Sequence, residues 1–395
     1  MKYRRFGRLE WQVSVLGFGA MRLPLKAKDA SPADIDEETA IGMMRYAFDH
    51  GVNYVDTAYP YHGGRSEVVV GRALQGGYRQ KVRVATKMPT WQVQTRADCD
   101  RFLAEQLERL QTERIDFYLL HGLNGERWPK LKGLKVLDWA EQAMADGRIG
   151  YLGFSFHDTF PVFKGIIDDY NGWSFCQVQY NFMDTDYQAG TQGVEYAAGK
   201  GLAVVVMEPL RGGRLSQNPP PAVMECWQSA RVKRSPAEWA LLWVWEHPGV
   251  SLALSGMSTL EQVVENVASA DRAGPGTLTP EDMRVIERVR QAYRALVPVD
   301  CTACGYCMPC PHGVEIPRIF RIYNEAVMYN DPRAGRFQYR GPNGLREEQR
   351  ADRCQECGEC VEVCPQGINV PEMLKKAHQL LGPAPETAGE RPAQA

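Results

Sequence analysis

Eight cysteines lie close together near the end of this chain, where residues 301–311 read CTACGYCMPCP and residues 354–365 read CQECGECVEVCP. The other three cysteines, Cys99, Cys176 and Cys226, are scattered singly. Disulfide frameworks spread cysteines through small secreted domains, whereas this chain is 395 residues long and its first residues do not read as an export signal. Thiols grouped in this way favour a metal site.

The spacing within the two runs narrows the kind of metal site. The second run is C-x2-C-x2-C-x3-C-P, the spacing of bacterial ferredoxins, in which the fourth cysteine ligates the other cluster. The first run is one residue shorter before its last cysteine, and both runs end in Cys-Pro. Zinc is the competing interpretation, because C-x2-C pairs also make zinc sites, but zinc needs only four ligands. Eight thiolates in two such runs favour iron–sulfur clusters.

The pair of runs resembles a two-cluster ferredoxin domain, and the resemblance implies two 4Fe-4S clusters with crossed ligands. The first cluster would be held by Cys301, Cys304, Cys307 and Cys364, and the second by Cys310, Cys354, Cys357 and Cys360. The short first run leaves one alternative open, in which the four cysteines from 301 to 310 hold a cluster of their own.

A second set of residues could do acid–base chemistry. Asp56 ends the apolar run NYVD, Lys87 follows VRVAT, His121 follows DFYLL, and Tyr61 lies on the loop after Asp56. Taken singly, each has an ordinary structural explanation, such as a helix cap, a solvated rim lysine or a hydrogen-bonded core histidine. Their shared position at the ends of short apolar runs is what makes them candidates.

Eight such apolar runs recur along the first 297 residues, separated by stretches with helical spacing. They are VSVLGFGAM, VNYVDTA, VRVATKM, IDFYLLHG, IGYLGFSF, FCQVQYN, LAVVVMEPL and VSLALSGM. Gly51 and Gly147 stand where a left-handed residue would end a helix. This alternation predicts a parallel (β/α)8 barrel, whose active site lies at the C-terminal strand ends. A doubly wound open sheet is the alternative, but no GxGxxG follows the first strand.

The motifs DTAxxY, xxTK and YLLHG on consecutive strands resemble the aldo-keto reductase superfamily. The resemblance continues through SEVVVGRAL, GRIGYLGFSF, CQVQYN, EPLRGGRL and EQVVENV, over nearly the whole barrel. It implies a catalytic tetrad of Asp56, Tyr61, Lys87 and His121, with Tyr59 the one near competitor for the tyrosine role. Tyr61 would donate a proton to a carbonyl oxygen, and Lys87, held by Asp56, would stabilise the phenolate. Neutral His121 would orient the carbonyl.

The resemblance also implies an NAD(P)H cofactor, with contacts spread over the later strand ends. They are Ser155, Gln177, Met207, Leu210, Arg211, Gly213, Ser255, Gly256, Gln262, Glu265 and Asn266. Phe156 replaces an Asn that the family places beside the carboxamide, and Met207 replaces a stacking aromatic residue. Gly256 and Gln262 are uncharged where NADP-binding members place cations, so the sequence does not decide between NAD and NADP.

Two interpretations of these departures from the family's cofactor contacts stay open. Arg211 and Arg214 could supply the missing charge for a ribose phosphate. Alternatively, the nicotinamide site has decayed and the barrel no longer reduces carbonyls.

Composition excludes other classes of function. The chain carries 46 Lys and Arg against 48 Asp and Glu, for a net charge of −2, and no basic stripe of the kind that binds nucleic acid. Its longest apolar runs are far shorter than the roughly 20 residues that span a bilayer. We expect a cytoplasmic protein with a small carbonyl substrate. Trp91, Trp128 and Phe156 are aromatic residues near the predicted mouth of the barrel, but they do not identify the substrate.

The predicted organisation has three parts: a barrel over residues 1–297, a ferredoxin-like iron–sulfur domain over 298–381, and a disordered Pro- and Ala-rich tail over 382–395. The function that follows is carbonyl reduction, or alcohol oxidation, with clusters that link the barrel to one-electron carriers such as ferredoxin. A bound flavin is an option. The alternative is an electron-transfer or partner-binding protein, or one whose clusters only staple the small domain.

Overall fold

The computed structural model describes residues 1–27, 30–342 and 344–383. The predicted disordered tail, 382–395, lies outside these ranges from residue 384 onward. The contacts divide the chain into two compact units. The first comprises residues 1–216 and 234–283, and the second comprises 217–233 and 284–395.

A closed barrel of eight parallel strands forms the centre of the first unit, in the order β10-β3-β4-β5-β6-β7-β8-β9. Its strands are β3 (Leu16–Gly19), β4 (Tyr54–Asp56), β5 (Arg83–Met88), β6 (Ile115–Leu123), β7 (Ile149–Phe156), β8 (Phe175–Gln179), β9 (Ala203–Met207) and β10 (Leu252–Ser255). Seven fall within one of the eight predicted runs and β6 extends one residue beyond its run, so the predicted barrel is confirmed. An N-terminal hairpin, β1 (Tyr3–Arg5) and β2 (Gln12–Ser14), was not predicted.

Eleven α-helices are described between residues 37 and 295. They are α1 (Glu37–Asp49), α2 (Arg65–Ala73), α3 (Arg96–Leu110), α4 (Arg127–Gly133), α5 (Val136–Ala145), α6 (Phe160–Asp168), α7 (Gly190–Gly199), α8 (Pro221–Gln228), α9 (Pro236–Glu246), α10 (Leu260–Ala270) and α11 (Pro280–Ala295). All but α8 and the later part of α11 belong to the first unit. Gly51 and Gly147 have φ values of +96° and +77°, as expected for residues that end helices. No helix in the described ranges is long and apolar enough to cross a membrane.

Alternation along the strands decides which side chains enter the barrel. The lumen core includes Tyr54, Ala85, Phe117, Leu119, Phe175, Ala203, Val205, Leu252 and Leu254. Two residues further along the same strands, Asp56, Lys87, His121 and Gln177 keep this inward direction, because side chains in a strand alternate between its two faces. The predicted site residues therefore belong to one layer at the C-terminal end of the lumen.

The hairpin closes the opposite end of the barrel with aromatic rings. The ring of Phe6 lies 4.7 Å from that of Phe117, and the Arg83 guanidinium lies 4.4 Å from the centre of the Trp11 ring. Between the two strands, Gly7 has a φ of +55° and approaches Ala203 so closely that a Cβ would lie 2.4 Å from its backbone nitrogen. The Arg8 amide donates to the Gly201 carbonyl at 2.9 Å.

The second unit has a hydrophobic core of its own. Its remaining helices are α12 (Ile316–Met328), α13 (Pro332–Arg340), α14 (Glu359–Glu362) and α15 (Val370–Leu381). Fourteen buried residues form the core: Val299, Val314, Ile316, Ile319, Phe320, Ile322, Ala326, Tyr339, Leu345, Ala351, Val370, Leu374, Ala377 and Leu381. Six of the eight clustered cysteines are partly buried, and five of these pack against this core: Cys301, Cys307, Cys310, Cys354 and Cys360.

The predicted domain ranges stay a prediction. Packing groups residues 217–233 and 284–297 with the second unit, although both segments lie inside the predicted barrel range. The sequence could not assign α8 and the later part of α11 to the second unit, because an amphipathic pattern does not say which core its apolar face covers.

Candidate active site and cysteine sites

Lys87 is the anchor of the candidate active site. Its Nζ donates to Asp56 Oδ1 at 2.6 Å and to the Thr57 carbonyl at 2.7 Å, and both charged side chains are almost wholly buried. Burial opposes the charge, but Asp56 and Tyr61 outweigh it and raise the pKa of Lys87 above its usual value. Lys87 is therefore a fixed cation at neutral pH.

Tyr61 lies next to this cation. Its hydroxyl oxygen is 3.4 Å from Lys87 Nζ, and the ammonium lies 4.8 Å from the centre of the ring. Burial raises the pKa of Tyr61, and the Lys87 charge lowers it by less than burial raises it. The sequence predicts that Lys87 lowers the pKa of Tyr61, and this is one of two opposing effects, because burial raises the same pKa. The net result is a phenol that is protonated at neutral pH and can donate.

Tyr59 is turned away from this group. Its hydroxyl donates to Glu105 Oε2 at 2.7 Å, and the Arg109 guanidinium lies 4.2 Å from the centre of its ring. The structure thus separates the two tyrosines of the loop, and only Tyr61 contacts Lys87.

His121 faces Tyr61 across the mouth, with ring centroids 6.0 Å apart and nearly perpendicular planes. Burial lowers the pKa of His121 well below its usual value, and the charges of Lys87, His157 and Arg127 lower it further. The imidazole is therefore neutral at pH 7. Its Nδ1 is buried and has no hydrogen-bond partner in the described part of the chain. A polar ligand in the mouth is the kind of partner such an atom needs.

A buried polar network behind Lys87 was missed by sequence reasoning. Gln106 on α3 donates to the Lys87 carbonyl at 3.1 Å and to Glu67 Oε1 on α2 at 2.7 Å. Thr86 donates to the same Glu67 oxygen at 2.6 Å, and Arg109 pairs with the other at 3.2 Å. Polar residues on the buried faces of two consecutive helices are the signal that could have found it. The network fixes the backbone that carries Lys87.

Three of the predicted cofactor contacts occupy neighbouring strand ends. Ser155 Oγ accepts a hydrogen bond from the Gly122 amide at 2.7 Å. Gln177 is 2% exposed, and its Oε1 has no partner among the described residues. Met207 ends β9, next to Gln179 in register. A buried amide oxygen without a partner fits the carboxamide of a nicotinamide, which carries an N–H donor.

Phe156 does not take the place of the missing Asn. It is fully buried, and its ring lies 5.0 Å from Phe163 of α6, in the layer between strand and helix. Trp128 is also buried, with its ring 5.7 Å from Trp173. Of the three aromatic residues near the predicted mouth, Trp91 alone contacts His121, with ring centroids 5.0 Å apart.

The remaining cofactor candidates lie around the loops after β9 and β10. Leu210, Arg211 and Gly213 belong to one short turn, in which Arg211 Nε lies 3.4 Å from Asp184 Oδ2. Ser255 accepts from Asn266 at 3.0 Å. Two further contacts are internal to this region: Gln262 Oε1 accepts from the Ser258 amide at 2.8 Å, and Glu265 accepts from the Ser235 hydroxyl.

Arg22 is a cation beside Gly256 that the sequence did not suggest. A Cβ at Gly256 would lie 3.3 Å from the Cγ and Cδ of Arg22, so the arginine stem crosses directly over this glycine. Its guanidinium lies 3.8 Å from Glu208 Oε1. Sequence spacing could not reveal it, because Arg22 comes from the loop after β3, the first strand of the barrel.

The cysteines of the second unit line two cavities, divided as the crossed arrangement requires. One is lined by Cys301, Cys304, Cys307 and Cys364, together with apolar residues of α12. The other is lined by Cys310, Cys354, Cys357 and Cys360, and Cys307 lines both cavities. The last cysteine of each run thus lies with the first three of the other run.

The surroundings of these thiols fit a cluster. Burial raises the pKa of Cys307, and Cys301, Cys304 and Cys364 raise it further, which places these four thiols near one another. Burial, with Cys354 as the next cause, raises the pKa of Cys360 to about 11. In the ranges that the structure describes, no group of three or more His, Cys, Asp or Glu side chains is arranged around a single metal ion. Cysteine thiolates are the usual ligands of 4Fe-4S clusters.

Comparison with known proteins covers both units. Residues 15–291 match the Aldo/keto reductase family, and residues 300–368 match the 4Fe-4S dicluster domain. Among curated proteins, the chain is 24% identical over 335 residues to the NADH-specific methylglyoxal reductase of Escherichia coli (strain K12), covering 73% of this chain and 100% of that protein.

Solved structures give the same picture for the barrel. The chain is similar to the holo form of the aldo-keto reductase AKR11C1 from Bacillus halodurans, with 28% identity and a TM-score of 0.60 over 73% of this chain and 96% of that one. It is also similar to an aldo-keto reductase from Klebsiella pneumoniae in complex with NADPH, with 26% identity and a TM-score of 0.59 over 73% and 95% of the two chains. The expected resemblance is confirmed for both units.

Proposed function

This chain belongs to the aldo/keto reductase family, and we propose that its barrel reduces a small carbonyl compound, or oxidises the corresponding alcohol, with NAD(P)H. The observation that carries the proposal is the contact between Tyr61 and the buried Lys87–Asp56 pair, with neutral His121 opposite. NAD(P)H, when bound, supplies a hydride. The residues of the chain supply the proton and fix the position of the carbonyl oxygen.

The proton comes from Tyr61 in this proposal. As negative charge grows on the carbonyl oxygen, the phenol donates its proton, and the fixed charge of Lys87 stabilises the phenolate that is left. Asp56 holds the ammonium in place through the 2.6 Å contact. Neutral His121 has one ring N–H, and its ring faces Tyr61, so it can donate one hydrogen bond to the carbonyl oxygen.

The cofactor contacts are proposed from the atoms that lack partners. Gln177 Oε1 would accept the carboxamide N–H, beside Ser155 on the next strand. Arg22, which crosses over Gly256, is a candidate to face a ribose phosphate in place of the expected cations. Because Arg22 is exposed and already lies near Glu208, we propose no strong preference for NADPH over NADH.

The second unit would hold two 4Fe-4S clusters with crossed ligands, as the division of the cysteines between two cavities supports. A cluster passes one electron at a time, whereas a hydride carries two. We therefore propose that the clusters exchange electrons with an external one-electron carrier such as a ferredoxin, and that a flavin is the group that could join the two kinds of transfer. The presence of a separate apolar core argues against a purely stapling role. Eight reduced thiols favour the cytoplasm.

The test is a pair of phenylalanine variants on one loop. Tyr61→Phe removes the proposed proton donor, so we expect carbonyl reduction to fall by about a hundredfold or more, the usual scale of general acid catalysis. Tyr59→Phe is the matched control, because its hydroxyl contacts Glu105 and not Lys87, and its rate should stay close to the wild-type rate.

The assay is NAD(P)H consumption by anaerobically purified protein with a panel of aldehydes and ketones, run with NADH and NADPH in parallel. Iron and sulfide content is measured for each variant and should not change. Equal rates for Tyr61→Phe and the wild type would show that the tetrad is wrongly assigned.

A further inference from the structure

The Arg127 guanidinium lies at the mouth of the barrel and contacts the same tryptophan ring as His121. Arg127 is the first residue of α4, where Asn124 Oδ1 accepts from its backbone amide at 2.8 Å. Its NH1 donates to the Gly122 carbonyl at 2.7 Å, which ties the side chain back to the end of β6. Neither contact uses the remaining guanidinium N–H groups, so the arginine is fixed in place but keeps donors available.

Trp91 contacts both Arg127 and His121. The Arg127 guanidinium is 5.7 Å from the centre of the Trp91 ring, and that ring is 5.0 Å from the His121 ring. Trp91 is 38% exposed, which is unusual for so large an apolar side chain beside a buried site. The three side chains therefore form one cluster beside the proposed carbonyl position.

Arg127 is a cation of this cluster, and among the described residues it has no counter-charge beside it. The Lys87 charge is paired with Asp56, whereas Arg127 has no carboxylate within ion-pair distance in the described part of the chain. Asp158, on the loop after β7, is occupied elsewhere: its oxygens accept from the backbone amides of Gly125 at 2.9 Å and Thr159 at 2.7 Å. The charge of Arg127 nevertheless reaches His121, since it contributes to lowering the pKa of the imidazole.

We infer that Arg127 and Trp91 form an anion subsite, and that the carbonyl substrate carries an oxyanion, a carboxylate or a phosphate, on a short chain. Guanidinium presents parallel N–H donors that match two oxygens of such a group, and its charge strengthens both hydrogen bonds. Trp91 would cover the chain between the carbonyl and the anion. This inference rests on the proposed function, since it names the substrate class of the same site.

The experiment compares an anionic aldehyde with a neutral one of the same length. With Arg127→Met, we expect the KM for 4-oxobutanoate to rise about tenfold or more, the effect of losing one charge-assisted contact, while kcat changes little. The KM for butanal should stay within about twofold of the wild-type value. Arg127→Lys keeps the charge and should restore part of the affinity, and it also serves if the Met variant does not fold. A second pair, glyceraldehyde 3-phosphate and glyceraldehyde, distinguishes a phosphate from a carboxylate preference.

Lys130→Met is the matched control, because it removes a cation of the same helix whose ammonium donates to Gln94 Oε1 at 3.0 Å, away from Trp91 and His121 in the contacts of the described residues. Equal effects of Arg127→Met on the anionic and neutral aldehydes would overturn the inference. If the wild type reduced no aldehyde, the proposed function would fail separately, and calorimetry with butyrate and butyramide would still test the subsite. Binding of butyrate that is unchanged in Arg127→Met would then count against it.

Discussion

At the scale of single residues, burial and charge act in opposite directions on Tyr61. Burial raises its pKa, because an apolar surrounding disfavours the phenolate, and the neighbouring ammonium of Lys87 lowers it. The proton is therefore held firmly in the resting state. The charge of Lys87 matters most after Tyr61 has lost its proton, because the ammonium then lies 3.4 Å from a phenolate in a buried site.

Replacing Lys87 tests this balance through the pH dependence of the reaction. Tyr61 acts as an acid in reduction, so activity is lost as pH rises through its pKa. In Lys87→Met the lowering influence is gone, so the pKa of Tyr61 rises and this alkaline loss should move to higher pH, with a rate at least about a hundredfold lower throughout. The measurement is kcat against pH for carbonyl reduction.

The single change would leave Asp56 buried without its cation, which is strongly destabilising. The double variant Asp56→Asn, Lys87→Met removes both charges and is the control for folding. An alkaline limb at the wild-type pH in either variant would mean that Lys87 does not control the tyrosine.

Sequence patterns could identify the strand-end residues but not their cross-chain partners. Asp56, Lys87 and His121 follow recognisable apolar runs, and alternation brings such residues into one layer. Arg22 lies on a loop and Arg127 begins helix α4, and nothing in their neighbours along the chain distinguishes them from solvated surface arginines. Their significance comes from what the fold places beside them, a glycine in one case and a tryptophan in the other.

At the scale of elements, the two cysteine runs exchange their last members. The first run ends at Cys310, which lines the cavity of the second run, and Cys364 lines the cavity of the first. Spacing alone allowed two interpretations, because the first run is one residue short of the usual pattern. Helix α12 lies between the runs in the chain and contributes apolar residues to the shared core, so both runs are held on one scaffold.

Cys310→Ser tests the exchange. We expect the spectroscopic signal of the cluster held by Cys354, Cys357 and Cys360 to change, while the other cluster keeps its signal, since serine is a poor replacement for a thiolate ligand. Paramagnetic resonance of the reduced protein measures both clusters at once. Cys226→Ser is the control, because Cys226 lies outside both cavities and should leave both signals intact. Loss of the cluster held by Cys301, Cys304 and Cys307 alone would show that the first run closes on itself.

At the scale of the whole molecule, the alternation of strands and helices was enough to predict the barrel, and all eight strands lie where the apolar runs predicted them. The limits of the two units were less predictable. Helix α8 and residues 284–297 pack with the second unit, and the partner of an amphipathic face depends on contacts far away in sequence. The N-terminal hairpin was missed because its strands are only three residues long.

Iron removal tests how the second unit is stabilised. Its fourteen-residue core contains none of the cysteines, so we expect the full chain without iron to keep helices α12 and α15 folded, with a lower unfolding temperature because a ligand of the folded state has been lost. Hydrogen exchange read by mass spectrometry follows the two units separately, and the barrel strands serve as an internal reference. Complete loss of protection in α12 without iron would show that the clusters are required for folding.

The hairpin that closes the barrel can dock only after distant parts of the chain have been synthesised. Its residues are synthesised well before its docking partners: the Arg8 amide donates to the Gly201 carbonyl, and Arg4 NH1 donates to the Val250 carbonyl at 2.6 Å. At about 5 to 20 residues per second, the last of these partners is made roughly 12 to 50 s after the hairpin. During that interval Phe6 and Trp11 have no finished barrel end to cover. The hairpin is thus synthesised before the barrel strands, yet it reaches its final place only after the last of these partners is made.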